Sequence, residues 1–394
     1  MDDPARYQEL GLEHIHEKVQ RGERLTLEDG ELLFACPDVT AIGALAHQVR
    51  RRFNGNTTYY VMNQHINYSN ICVNGCRFCA FAREPGDPEG FQLTLEEILG
   101  KIRASLKYPI TEVHIVGGCH PDLPLSYYQS IIREIKALRP QVLIKAFTAV
   151  EIAHFARREQ LTTRKVLERL QEAGLNMLPG GGAEVFSARV RNLICPQKLS
   201  GDGWLKVVSE AHRLGIRTNA TLLYGHIETH RERLEHLLAL RRLQDDTGGF
   251  VCFIPLPFQT ANNNLRGIEP VTGMENLKTI AISRLMLDNF AHIKAYWIML
   301  TLELAQLALY FGADDLDGTV LEEKIGHMAG AQSDQSLTRF ELERIIREAG
   351  FDPVERDCFF QPVSREIWRD YRRSPDWVGN PPEAPFSRGG IQTR

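Results

Sequence analysis

From residue 58 onward, short apolar runs alternate with amphipathic stretches. Eight runs have the length and the aliphatic and aromatic content of buried strands: residues 60–69, 112–118, 142–148, 175–180, 217–224, 251–257, 292–298 and 307–312. Between most of them, apolar positions recur at helical spacing, over 94–107, 125–138, 152–173, 203–214, 230–243 and 273–289. Strands that alternate with helices pair in parallel, and eight is a number that closes a barrel. The first sixty residues read as helical instead. Thr26 with Asp29 resembles a capping box ahead of a helix through Phe34, and residues 37–52 carry helical periodicity up to a stop near Gly55. After Gly312 a polar segment, GADDLDGTVLEEKIGHMAGA, precedes one more helix over 338–349, stopped by Gly350. The pattern predicts an α/β fold. A TIM-like (β/α) barrel occupies 58–316, with an N-terminal helical layer over 1–57 and a C-terminal helical extension packed on it over 317–363. A loosely packed tail rich in Arg, Pro, Gly and Trp fills 364–394.

Bulk composition changes this picture little. The 394 residues suit a barrel of about 250 residues with additions at its ends. A hydrophobic share of 43% and a charged share of 24% are those of a soluble globular chain with a large core. The net charge of −4 gives no reason to expect a nucleic acid partner. The most apolar stretch, 292–311, is interrupted by Lys294, Glu303 and Gln306, so it reads as core rather than as a membrane span. The first residues, MDDPARYQEL, carry no apolar signal-peptide segment, and the cytoplasm is the expected compartment.

The cysteines matter more. Of eight, Cys36, Cys119, Cys195, Cys252 and Cys358 are scattered, whereas Cys72, Cys76 and Cys79 crowd into HINYSNICVNGCRFCAFAR, residues 65–83. A disulfide framework is not expected in such a chain. Three soft, anionic thiolates spaced C-x3-C-x2-C hold three irons of a cubane and leave the fourth open. Asn74-Gly75 supplies a turn that lets the sulfurs converge. The loop follows the first candidate strand, on the barrel face where active sites assemble. Two other readings fit the same residues: a zinc site completed by a distant histidine, and three unligated thiols.

With Phe78 before the third cysteine and Phe81 after it, this motif resembles the signature of the radical S-adenosylmethionine (SAM) superfamily. HIVGGCHPDLP (114–124), IKAFTAVEI (144–152), LPGGGAEVF (178–186), ICPQKLS (194–200), NATLLYGHIET (219–229) and GADDLDGT (312–319) resemble the aminodeoxyfutalosine synthase family, a match running over about residues 10–360. GGGAE is shared with the dehypoxanthine futalosine cyclases. The resemblance implies a barrel of radical SAM type and a [4Fe-4S] cluster on Cys72, Cys76 and Cys79. It implies SAM as a consumed co-substrate and 3-[(1-carboxyvinyl)oxy]benzoate, an enol-ether benzoate, as acceptor. The 5′-deoxyadenosyl radical adds to the acceptor. Rearrangement and decarboxylation then give 6-amino-6-deoxyfutalosine, in menaquinone biosynthesis. An electron-donor protein such as flavodoxin or ferredoxin is implied as partner. The alternatives are a cyclase or related radical SAM enzyme and, in another class, a non-catalytic zinc or iron–sulfur binding protein.

Further site residues follow from strand ends. Gly117 and Gly118 end the second candidate strand and leave room for a ligand, which the resemblance identifies as the SAM amino group and favours over the alternative, a plain strand-to-loop turn. A glycine run at 180–182 followed by Ala183 and Glu184 reads either as an anion cradle with Glu184 on a ribose hydroxyl or ammonium, or as a helix start with a dipole-favoured Glu. Thr148 and Glu151 flank the third strand, and Asn219 and Thr221 share one face of the fifth. Gly117, Gly118, Thr148, Glu184 and Asn219 are thus the expected cofactor contacts. The implied substrate has two carboxylates, for which Arg83 and His120 are the expected contacts, with His65 and Asn67 as further candidates. Cys119 sits close to the expected mouth. A basic run, Arg365, Arg369, Arg372 and Arg373, reads as a solvated helix face or as a docking site for the electron donor.

Overall fold

The computed structural model describes residues 4–319, 324–331, 333 and 336–363, so the tail over 364–394 and its basic run lie outside the described residues. The chain enters the sheet at β1 (Thr57–Val61) and, after a break at Met62, continues as β2 (Asn63–Ile66). It then builds β3 (Glu112–Ile115), β4 (Leu143–Ala146), β5 (Met177–Leu178), β6 (Arg217–Tyr224), β7 (Phe250–Pro257) and β8 (His292–Ile293). Strands β2 to β8 lie side by side in chain order, every pair parallel. Helices connect them, which is the expected alternation. Among the described residues, five helices begin with a full capping box, from Thr26, Thr94, Thr148, Thr229 and Thr338 to the acidic residue three positions on.

The eighth candidate strand requires correction. Residues 307–312 belong to a helix, Leu302–Ala308, and a 3-10 turn, Leu309–Phe311. The strand that lies next to β8 is β9 (Asp315–Gly318), taken from the segment read as polar. It pairs in parallel with β1 and reaches β8 through Asp314 N–H to Ile293 O (3.0 Å) and Ala295 N–H to Asp315 O (2.8 Å). Its carboxylates go inside because each meets a buried cation. Three smaller differences are also physical. Candidate strand 60–69 is shorter and broken at Met62, and 292–298 stops early because Trp297–Leu300 turns helical. The stretch 152–173 is two helices, Ala149–Arg158 and Thr163–Ala173, separated by a turn with Gln160 at φ +54°.

The early helices wrap the outside of the ring. Leu27–Ala35 packs on His230–Thr247, and Val39–Asn54 packs on Gly273–Met286. Val39–Asn54 also packs closely on the 3-10 turn Leu309–Phe311: a Cβ on Gly43 would lie 2.5 Å from the Phe311 ring. Arg50, fully buried, donates to Ala313 O (3.1 Å), Gly55 O (2.7 Å) and Thr57 O (2.7 Å), tying that helix to both β1 and the approach to β9. Beyond the ring, the helix Arg339–Glu348 leads to β10 (Asp352–Glu355), which pairs with the free side of β1. Among the described residues no helix is long and apolar enough to cross a membrane.

Asp314 is the joint between β8 and β9. It accepts from Arg284 Nη2 (2.5 Å) and the Ile293 N–H (2.8 Å), and lies 2.6 Å from His292 Nδ1. Asp314→Ala leaves Arg284, wholly buried, without its counter-charge. Removing one partner of such a pair costs about 3–5 kcal/mol. Urea unfolding should show a loss of that size; a loss below about 1 kcal/mol, the range of exposed pairs, would refute the role.

Candidate active site

A cavity of about 340 Å³ opens where the strands of the ring end. The cysteine loop forms one wall. It is held by Cys72 N–H to Arg83 O (2.9 Å), Arg83 N–H to Asn70 O (2.8 Å) and Arg77 N–H to Ile194 O (2.8 Å), with Gly75 turning at φ +56°. Cys72, Cys76 and Cys79 are free thiols, half-buried, and all three line the cavity. A hydrogen bond from the Cys119 thiol brings Cys72 down to about 5, and one from Cys195 lowers Cys76. Burial raises Cys79. Two thiols that ionise readily, and a third whose burial cost a bound cation would offset, suit thiolate ligands. Among the described residues no three His, Cys, Asp or Glu groups converge closely enough to hold a single ion.

The adjoining wall comes from the ends of β3 and β4. Gly117 and Gly118 line the cavity, yet the protein itself uses their missing side chains. A Cβ on Gly118 would stand 2.2 Å from Ile71 O, and one on Gly117 2.7 Å from the Tyr68 ring. The cysteine loop can therefore pack against the end of β3. Glu151 sits behind this contact, fully buried. It accepts from Tyr68 OH (2.8 Å), Gly117 N–H (3.2 Å), Thr148 N–H (2.7 Å) and Thr148 Oγ1 (2.8 Å). Burial outweighs these donors and pushes its carboxyl up to about 7. Thr148 reaches the cavity, but its hydroxyl is engaged in the cap of Ala149–Arg158.

Glu184 and Asn219 complete the wall. Glu184 does not open a helix, since the next one begins at Ala188. It sits at φ +48°, with Oε1 2.5 Å from Lys198 Nζ. Burial alone would lower the Lys198 pKa, but Cys76 and Glu184 outweigh it and raise it. The ammonium also lies over the Phe78 ring, 5.3 Å from its centroid. The Asn219 side chain is 3% exposed, faces the cavity, and its Oδ1 has no hydrogen-bond partner among the described residues. A buried acceptor left unpaired is costly, so a donor from a ligand fits there.

Arg83 and His120 need correction: neither lines the cavity. The Arg83 guanidinium turns back to Ala80 O (2.9 Å), Ala82 O (3.0 Å) and Glu89 (2.8 Å). His120 Nδ1 accepts the Asp122 N–H (3.0 Å), and its carbonyl accepts from His154 (2.8 Å). Both hold loops. Asn67 donates to Val116 O (3.1 Å), joining β2 to β3, and His65 lines the cavity. The charged residues that do reach the cavity, besides Glu151 and Glu184, are Lys145, Lys198, Lys294 and Asp317, with His114 beside them. Lys145 lies 2.5 Å from Glu112 and Lys294 2.8 Å from Asp317. A usable signal existed: lysines inside strand-length apolar runs, at positions whose period-two alternation points inward.

A profile described as "Radical SAM superfamily" matches residues 66–240, and one described as "CofH/MqnC C-terminal region" matches 247–367. The aminodeoxyfutalosine synthase of Thermus thermophilus is 48% identical, over 90% of this chain and 96% of its own length. That of Streptomyces coelicolor is 43% identical, over 91% and 94%. A 5-amino-6-(D-ribitylamino)uracil–L-tyrosine 4-hydroxyphenyl transferase from Methanoculleus marisnigri is 41% identical, over 86% and 94%. Among solved structures, methylornithine synthase (PylB) superposes with a TM-score of 0.68 at 19% identity, covering 86% of this chain and 96% of its own. The maturase HydG from Carboxydothermus hydrogenoformans gives 0.69 at 20%, covering 93% and 83%. At such identities these two show the fold.

The raised Glu151 carboxyl makes stability depend on pH. Its folded value, about 7, exceeds its ordinary 4.5, so the folded state holds the proton more tightly. The stabilisation is complete below pH 4.5 and is lost as pH rises through about 7, a change of about 3 kcal/mol. Glu151→Gln should flatten this fall. Unfolding midpoints of both proteins at pH 5 and pH 8 measure it; parallel falls in the two would refute the assignment.

Proposed function

Because the chain belongs to the aminodeoxyfutalosine synthase family of radical SAM enzymes, we propose that it joins the adenosyl group of SAM to 3-[(1-carboxyvinyl)oxy]benzoate, giving 6-amino-6-deoxyfutalosine for menaquinone biosynthesis. The observation that carries the reading is the sharing of one cavity by three cysteines, a glycine strand end and the unpaired Asn219 acceptor. On this reading Cys72, Cys76 and Cys79 hold the [4Fe-4S] cluster, and Gly117, Gly118, Thr148, Glu184 and Asn219 face SAM. A cluster of this kind supplies the electron that cleaves SAM to methionine and a 5′-deoxyadenosyl radical.

The chain's own residues orient and shield. Asn219 Oδ1 accepts a hydrogen bond from the adenosyl ribose or the methionine ammonium. Glu184, anchored by Lys198, offers a second acceptor whose position does not drift. Thr148 acts through the cap: it fixes Glu151, which fixes the Gly117 amide. Phe78, Phe258 and Met299 on the cavity walls keep water away from a reactive intermediate. Residues 58–316 form the catalytic barrel, covered by 1–57 and extended by 317–363. The reaction runs in the cytoplasm, with flavodoxin or ferredoxin as electron donor.

The 41% identity to a 4-hydroxyphenyl transferase and the CofH/MqnC match favour a second reading, in which the same machinery serves a different acceptor. A dehypoxanthine futalosine cyclase would belong here, with the radical abstracting hydrogen instead of adding. Product analysis separates the two. After anaerobic reconstitution with iron and sulfide, the enzyme is incubated with SAM, dithionite and the enol-ether benzoate. Mass spectrometry should find the adenosyl group covalently in the product. Free 5′-deoxyadenosine without an adduct would sink the first reading. Cys76→Ala should reduce both iron–sulfur absorbance and turnover to background, and full turnover in that variant would sink the cluster assignment.

A further inference from the structure

The cavity has two ends of different chemistry. Its rim carries the cysteines and the glycine pair. Its floor is built from the strands themselves. His65 pairs in register with His114, and His114 with Lys145, so the three form one row across β2, β3 and β4. All three line the cavity. His114 precedes Gly117 by three residues on one extended segment, about 10 Å deeper at the rise of a strand.

This row presents the Lys145 ammonium and one imidazole N–H of His114 to the cavity. The His114 ring stacks on His65 (centroids 4.5 Å apart, planes 18° apart), which holds its orientation. Burial, with His65 and Lys145 beside it, keeps its pKa well below the usual imidazole value, so the ring is neutral. No protein hydrogen bond to its nitrogens is present among the described residues. Lys145 is 4% exposed and meets Glu112 at 2.5 Å, which engages one of its three N–H donors. The surrounding charges balance without a ligand: Lys145, Lys294 and Arg356 against Glu112, Asp315 and Asp317. Asp317 also faces the cavity, but Lys294 neutralises it at 2.8 Å.

We propose that His114 and Lys145 together hold the ring carboxylate of an aryl acid substrate, and so set which acceptor the enzyme takes. The assignment rests on the function proposed above. A carboxylate offers acceptors alone and receives a charge-assisted bond from Lys145 with a second from the imidazole N–H. A carboxamide or phenol in the same place offers a weaker acceptor and brings donors of its own.

The test compares 3-[(1-carboxyvinyl)oxy]benzoate with its ring-carboxamide analogue on the reconstituted enzyme with SAM, by calorimetric binding and by kcat/KM. The wild type should prefer the carboxylate by about 10- to 100-fold, the range of a hydrogen bond to a charged group. His114→Phe should reduce that preference several-fold, and His114→Asn, which keeps a donor, should restore part of it. Lys145→Met strands Glu112, so Lys145→Met with Glu112→Gln is the companion variant; it too should lose the preference. Circular dichroism checks that each variant is folded. If His114→Phe and the companion variant both keep the wild-type preference, the proposal is overturned while turnover of the benzoate leaves the proposed function standing. If the wild type acts on neither compound, the proposed function falls, and this proposal with it.

Discussion

The ring of strands depends on an acidic strand being buried. β9 and the residue before it present Asp314, Asp315 and Asp317 to the interior, where an unpaired carboxylate would be prohibitive. Each has its own cation: Arg284 for Asp314, Arg356 for Asp315 and Lys294 for Asp317. Those cations come from three separate places, the helix Gly273–Met286, the segment after β10 and the end of β8. With all three in position, β9 lies between β8 and β1 with its carboxylates paired. An apolar strand would pack there at less cost, since buried ion pairs seldom beat well-packed hydrophobic groups. The pairs are also linked, since Lys294 lies 3.6 Å from Asp315 and Arg356 4.0 Å from Asp317, so the buried charges form one network.

The same network carries the site. Arg356 approaches Glu112 (3.8 Å) as well as Asp315, and Glu112 in turn holds Lys145. The ion pairs that close the ring thus also orient the lysines that face the cavity. The C-terminal segment supports the floor from behind, through Arg356 beside Glu112, although it lies after the ring in the chain. The rim obeys a different rule. There the contact is backbone against backbone, with Gly118 against the carbonyl of Ile71, and steric room decides it.

This division explains what the sequence reveals. Apolar periodicity found Leu125–Leu138 and Arg217–Tyr224 to the residue, because those elements bury one continuous face. The capping box at Thr26 is a local pattern and was legible in the same way. The cysteine loop was legible because its chemistry lies within eight consecutive residues. β9 was not, because aspartates read as loop unless their partners are known, and those partners are 23 to 41 residues away. Lys198 was hidden for the same reason, because its partner Glu184 belongs to a separate turn. Arg83 shows the converse error. Its residue type suits a carboxylate, but the loop folds its guanidinium back onto the carbonyls of Ala80 and Ala82.

A loop-built rim and a strand-built floor constrain how such an enzyme changes its acceptor. Generating a radical places demands on the rim: three thiolates, close backbone approach and exclusion of water. Choosing the acceptor places demands on whatever lies beyond the adenosyl group, which here is a row of side chains on hydrogen-bonded strands. Strands in register do not adapt by moving. A different acceptor therefore calls for different residues in the row, with the rim left alone. Relatives named for different reactions resemble this chain at 48% and 41% identity over most of its length, as such an arrangement allows. The neutral His114 ring and the ammonium of Lys145 are where an aryl carboxylate would be told from a phenol, because the ammonium makes a charge-assisted bond to a carboxylate that a neutral hydroxyl does not match.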